Sequence, residues 1–441
     1  MRGHVVDRFA DGTTAPADLS GWQYQVLVIA GDQISHYPAH SVSGSVDGTF
    51  EIPDVPDGPF WLERSAPGSM YLTQQTSHDI EEVDDVVGRL HETLVTSPTP
   101  LEIDATGLAP WSSSDGILVD CFENGTESYA RQLSPALAAG VTEIHGSFDW
   151  GSYPDVYSFA ASPYPALMDP AAGDRVVISR MTTSQVGKIS SYSLTQLFTA
   201  PAPAQIDGQP RTVTGTFVDV PATHKLTVTM DTAPFVAITK DTLYPSWGVG
   251  ILAGPGSTMG PYIASVGAAA ATPASTTSID YGDPFDPTWP RSLDAEFGEE
   301  RSYIVGGVVR AFLPYAVATE HAPPTDSFTF TPIAPPSSIT LGGEPIQDGE
   351  TVRISTNTAI PLSVIAPPGT TKITITLWQI TDHGALWAGV ITAADPSIEL
   401  PPELFFGGVR NVMQIAATID DGNGHTRTAS TLTDTFFVLA Q

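Results

Sequence analysis

Apolar and polar positions alternate most clearly in Lys372-Ile-Thr-Ile-Thr-Leu-Trp-Gln-Ile380, where Ile373, Ile375 and Leu377 are separated by threonines. A period of two puts such residues on one face of a half-buried strand. Residues 23–29 repeat the pattern with Tyr24, Val26 and Val28. Residues 47–62 compress a strand, turn, strand unit into one phrase: Asp47-Gly48 is a turn dipeptide, Phe50 and Ile52 share a face, and Phe60-Trp61-Leu62 opens a second strand. Because Pro53 to Pro59 cannot continue a ladder, a hairpin around Phe50 and Trp61 is expected. Helical spacing competes only at residues 79–90, with Ile80, Val83, Val86, Val87 and Leu90 at steps of three and four and Ser77 as a cap. Gly88, and Ile80 where a capping box needs Glu or Gln, leave an extended linker with a small strand as the alternative.

Further strand patterns fall at 3–9, 101–105, 116–122, 141–148, 156–160, 175–181, 189–198, 211–218, 225–230, 235–239, 248–252, 262–266 and 302–318. The last third adds 338–341, 351–355, 360–365, 371–380, 385–392, 397–400, 411–419 and 433–439. Thr96-Ser-Pro-Thr-Pro100, Pro323-Pro324 and Pro332-Ile-Ala-Pro-Pro336 interrupt the series. They divide the chain into 1–96, 97–331 and 332–441, an all-β, multidomain arrangement of two small β-sandwiches flanking a larger β-sandwich or barrel-like domain. Echoes such as Ile103-Asp-Ala-Thr-Gly-Leu, Ile144-His-Gly-Ser-Phe and Val213-Thr-Gly-Thr-Phe-Val recur without the fixed period that would establish a propeller.

Composition agrees with this picture. Gly and Pro number 39 each, about 18% of 441 residues against a usual share of roughly 12%. Such an excess fits many short strands joined by tight turns, and 41% aliphatic and aromatic residues suffice to fill real cores.

Two resemblances follow from named residues. Gly3, Val5, Val26, Val28, Gly48, Phe50, Ile52, Val55, Pro56 and Gly58 give residues 1–75 a pattern that resembles the carboxypeptidase regulatory-like, or transthyretin-like, β-sandwich. That resemblance implies a spacer or stalk module of an exported protein and brings no catalytic residues. Residues 332–441, with seven or eight short strands and a hairpin at Asp420-Asp421-Gly-Asn-Gly, resemble an immunoglobulin- or fibronectin-type sandwich. The middle region resembles no family.

Charge changes the list of partners. There are 49 acidic and 18 basic residues, a formal net charge of −31, and only four lysines. Phosphate contacts need clustered Lys and Arg, so nucleic acid is not an expected partner. No run approaches the roughly 18 apolar residues of a spanning helix, so no transmembrane segment is expected. Residues 1–15 lack an apolar signal core, so the protein is either cytosolic or has had a leader removed, and the low-lysine, Pro/Thr/Gly-rich composition favours the second, with an extracellular or outer cell-surface location. Cys121 is the single cysteine, which rules out a disulfide framework and a Cys-based metal cluster.

Candidate chemistry is sparse. Asp420, Asp421 and Asn423 offer closely spaced oxygen ligands around Gly422, which makes Ca²⁺ the one cofactor to consider, although a hairpin turn needs the same residues. Tyr281, Asp283, Asp286 and Trp289 lie in an aromatic, Pro-rich loop suited to stacking on sugars or to being pinned over the core. Asp294 and Glu296 are further carboxylates by density alone, and His145, His224 and His321 form a catalytic group only if the fold unites them. Ser257 lacks the Gly-x-Ser-x-Gly elbow, and the His36/His40 pair is interrupted by Pro38. The expected function is therefore an exported bacterial β-protein with a structural, adhesive or ligand-binding role, its partner a surface glycan or protein. The alternative is a secreted carbohydrate- or peptide-acting hydrolase with its site in the middle region.

Overall fold

A computed structural model describes residues 1–9, 14–30, 33–66, 69–86, 101–123, 126–133, 137–148, 175–187, 189–201, 211–231, 246–253, 262–269, 275–287, 289, 291–305, 308–323, 325–346, 350–354, 358–381, 384–405, 410–423 and 425–440. Of the structure, 69% is strand and 1% helix, arranged in several sheets with no closed barrel. The all-β expectation holds, and the barrel-like alternative for the larger region is corrected: its sheets stay open and face one another across packed cores. The strand patterns at 156–160 and 235–239 and the boundary at 96–100 lie outside the described residues.

The first sandwich contains β1 (Arg2–Phe9), β2 (Thr14–Pro16), β3 (Gln23–Ala30) and β4 (Gln33–Ser43). It continues with β5 (Thr49–Glu51), β6 (Phe60–Ala66), β7 (Ser69–Gln75) and β8 (Asp79–Val86). The second holds β9 (Leu101–Thr106), β10 (Asp115–Glu123), β11 (Thr126–Leu133) and β12 (Ile144–Phe148). Its remaining strands are β13 (Arg175–Val186), β14 (Ile189–Pro201), β15 (Arg211–Thr216) and β16 (Val218–Asp219). The third runs through β17 (His224–Met230), β18 (Ser246–Ala253), β19 (Tyr262–Ala269) and β20 (Ser275–Tyr281). It ends with β21 (Arg291–Val305), β22 (Val308–Ala322) and β23 (Ser327–Phe330). The fourth opens on β24 (Ser337–Leu341), β25 (Glu344–Pro345), β26 (Glu350–Ile354), β27 (Ile360–Ile365) and β28 (Lys372–Thr381). It closes with β29 (Gly384–Ala393), β30 (Ser397–Leu400), β31 (Arg410–Asp420), β32 (Thr426–Leu432) and β33 (Phe436–Ala440).

One plan recurs. In the first three sandwiches the opening strand (β1, β9, β17) pairs antiparallel with β5, β12 or β20 and parallel with β8, β15 or β23. Facing that small sheet, two hairpins join through antiparallel β3–β6, β10–β13 or β18–β21. The fourth keeps the two hairpins through β28–β31 and the antiparallel β27–β30 pair. Its last strand, β33, departs by running parallel to β26 and pairing with β31 instead of joining β27.

The hairpin sheets fuse into a single 19-stranded sheet. Parallel pairing of β7 with β29 joins the first sandwich to the fourth, antiparallel β22–β32 joins the fourth to the third, and β14–β19 joins the third to the second. Neighbours along the sheet are therefore first, fourth, third and second. Each small sheet closes its own apolar cluster: Val5, Phe50 and Ile80 over Tyr24, Val26 and Phe60 in the first; Ile103 and Val213 over Ile117 and Ile178 in the second. Leu226 and Phe330 over Val249 and Phe297 fill the third, and Leu362 and Ile398 over Ile375 and Ile415 the fourth. Leu27, Trp61 and Leu72 of the first sandwich belong to the fourth cluster, so its sheet is apolar on both faces there.

At residues 79–86 the structure takes the strand alternative rather than the helix: β8 runs parallel to β1 over eight residue pairs, which satisfies its backbone groups in a ladder, and its Val and Ile residues are β-branched. Two expectations are corrected. The phrase at 47–62 is not a hairpin, because β5 pairs with β1 whereas β6 pairs with β3 and β7; the proline-rich connection crosses from one layer to the other. Residues 302–318 are not one strand but parts of the long β21–β22 pair on either side of positions 306 and 307, which lie outside the described residues.

Candidate functional site

The loop after β20 is organised by Arg291. Its guanidinium meets Asp283 through Nε to Oδ2 (2.6 Å) and Nη2 to Oδ1 (2.9 Å), and donates to the carbonyls of Phe285, Asp286 and Trp289. Such a paired, bidentate contact fixes both groups in one plane. Phe285 stacks on Trp289 with centroids 5.7 Å apart and packs against both the third core and the Leu118, Met181 and Leu194 cluster of the second sandwich. Tyr281 stacks on His224 at 5.3 Å, at the end of the core-facing row. Burial first, then the charges of Asp283 and Asp326, push the Tyr281 hydroxyl above its ordinary range, with Arg291 opposing. Of the four expected ligand residues, Tyr281, Asp283 and Trp289 are thus drawn inward and tied together, while the Asp286 side chain is exposed.

Asp420, Asp421 and Asn423 do come together, in the turn between β31 and β32. Asp420 Oδ1 accepts the Gly422 amide (2.8 Å), and Asp421 Oδ1 accepts the amides of Asn423 (2.7 Å) and His425 (3.4 Å). Gly422 sits at φ +75°, a conformation favoured by glycine. These contacts are the self-bonding of an Asx turn. His425 Nε2 reaches Glu320 Oε1 at 2.7 Å, linking the turn to β22 of the third sandwich. Among the described residues no group of three or more His, Cys, Asp or Glu converges to hold a metal ion.

The three histidines fall in different sheets. His145 pairs with Asp104 (2.6 Å) in the second small sheet, His224 belongs to the third, and His321 lies on β22 of the long sheet. Asp294 and Glu296 lie two apart on β21, and Ser257 is outside the described residues. A buried polar cluster unforeseen in the sequence centres on Arg180, which binds Asp115 (2.6 Å), Gln196 (3.0 Å) and the carbonyls of Ala109 and Pro110. It pins the β9–β10 connection over the second core.

A cleft of about 600 Å³ opens where the first and fourth sandwiches meet. Pairing of β7 with β29 ends at Thr73 and Thr392, after which Gln74, Gln75 and Thr76 diverge from Ala394, Asp395 and Pro396. Pro59 completes the lining. Its residues are scattered over three segments with no motif, so only the β7–β29 pairing could reveal it. No family model, curated protein or solved structure matches the chain. No helix among the described residues is long and apolar enough to cross a membrane.

Proposed function

We propose that the protein is an exported structural, adhesive or ligand-binding component of the bacterial cell surface. The observation that carries this reading is the 19-stranded sheet that runs through all four cores, because hydrogen-bonded seams hold successive sandwiches as a stiff support rather than as beads on linkers. The transthyretin-like pattern of residues 1–75 implies a spacer, and the recurrence of the first sandwich's strand plan in the second and third extends that role along the chain. A protein bearing 31 net negative charges repels its own copies and anionic polymers, which suits a soluble surface component. The test is antibody labelling of intact and lysed cells of the source organism. Labelling of intact cells is expected; labelling that appears only after lysis would falsify the reading.

A further inference from the structure

We infer that the cleft between the first and fourth sandwiches binds a short neutral saccharide. The inference deepens the ligand-binding reading above by naming the ligand class. The cleft exists because the β7–β29 pairing stops: Tyr71, Leu72 and Thr73 face Val390, Ile391 and Thr392, and beyond them β7 keeps only β6 as its described partner, through Gln74 and Gln75. Its volume, about 600 Å³, lies within the roughly 300–1,000 Å³ of small-molecule sites, which favour junctions between packed units.

The lining selects the ligand. Gln74 and Gln75 each present a carboxamide that donates and accepts, and neither carboxamide hydrogen-bonds to another described residue. Thr76 adds a hydroxyl, and Asp395 adds a carboxylate whose Oδ1 already accepts the Ser397 amide (2.8 Å). Hydroxyl groups, which both donate and accept, match this mixed set. Among the described residues no Lys, Arg or His lines the cleft, so an anion meets no countercharge there, and the single carboxylate among them is too few for a hard cation. The rings of Pro59 and Pro396 supply the apolar walls against which the C–H face of a sugar ring packs. The net charge of −31 works in the same direction by disfavouring acidic glycans.

The test uses the full chain and saturation-transfer NMR with linear oligosaccharides of glucose, xylose, mannose and N-acetylglucosamine, and with oligogalacturonate as an anionic control. At least one neutral sugar is expected to bind with a Kd near or below about 1 mM. Gln75→Ala and Asp395→Asn should each weaken it about tenfold, the second while keeping the oxygen that accepts the Ser397 amide. Unchanged melting temperatures would show that both variants remain folded. Failure of every neutral sugar to bind, a preference for oligogalacturonate, or full affinity in both variants would overturn the inference. Surface labelling of intact cells combined with any of those results would leave the surface reading standing and remove only the saccharide.

Discussion

At the scale of single residues, two close approaches decide how the cores close. A Cβ on Gly3 would run into the Phe50 ring, which itself stacks on Tyr24 with centroids 3.9 Å apart. Gly215 stands in the same relation to Phe198 in the second sandwich. Overpacking of this kind costs about 1–3 kcal/mol, so Gly3→Ala should lower the urea midpoint without changing the slope of the transition. An unchanged midpoint would show that the ring moves aside freely. Asp115 offers a second test. Burial tends to raise its pKa, but hydrogen bonds from Arg180, Ser112 and Thr182, with the Arg180 charge, outweigh it and hold the carboxyl below the ordinary 3.8. A depressed folded-state pKa means that this contribution is complete above the unfolded-state value and is lost as pH falls through the lower folded one. Stability measured from pH 5 downward should therefore decline more steeply in the wild type than in Asp115→Asn. Asp115→Ala, which strands a guanidinium 8% exposed, should cost about 3–5 kcal/mol at neutral pH.

At the scale of elements, strands that carry a core face could be read directly, whereas two of the six seam strands, β7 and β32, could not. The runs containing Ile373, Ile375 and Leu377, or Tyr24 and Val26, announce themselves because every second residue enters a cluster. By contrast β7 (Ser-Met-Tyr-Leu-Thr-Gln-Gln) and β32 (Thr-Arg-Thr-Ala-Ser-Thr-Leu) have little alternation, since each lies between a hairpin partner and a strand of another sandwich. Their pairing partners lie hundreds of residues away for β7 and about a hundred for β32, and no local signal encodes such pairings. The same limit applied to candidate sites. The turn at Asp420 and the loop at Tyr281 were visible because their residues are contiguous, whereas the Arg180 cluster and the β7–β29 cleft draw on separate segments. A seam also gives an element-level prediction. At Gly389 an added Cβ would stand 2.8 Å from the Met70 carbonyl, across the β7–β29 junction. Gly389→Val should force the strands apart and increase amide exchange in residues 70–73 and 390–392 more than in β17. Equal protection in both variants would refute a tight junction there.

At the scale of the molecule, the order of sandwiches along the sheet separates the first from the second and sets it beside the fourth. Leu27, Trp61 and Leu72, exposed by at most 5%, lie in the core that the fourth sandwich supplies. Burying a side chain of this size contributes about 1.5–3 kcal/mol, so removing residues 332–441 should destabilise the first sandwich and create a surface that binds a hydrophobic dye. Retention of the wild-type melting temperature by the first sandwich in that fragment would show that it stands alone. The same compact joining brings 49 carboxylates and 18 basic groups into a folded volume much smaller than that of the unfolded chain. Self-repulsion is then greater in the folded state. Raising salt from about 0.01 to 0.15 M shortens the screening length from roughly 30 to 8 Å, which relieves the repulsion while leaving the buried Arg180–Asp115 pair largely untouched. The melting temperature should consequently rise with sodium chloride over that range. A fall would mean that the exposed ion pairs, such as Arg2–Glu51, outweigh the net charge.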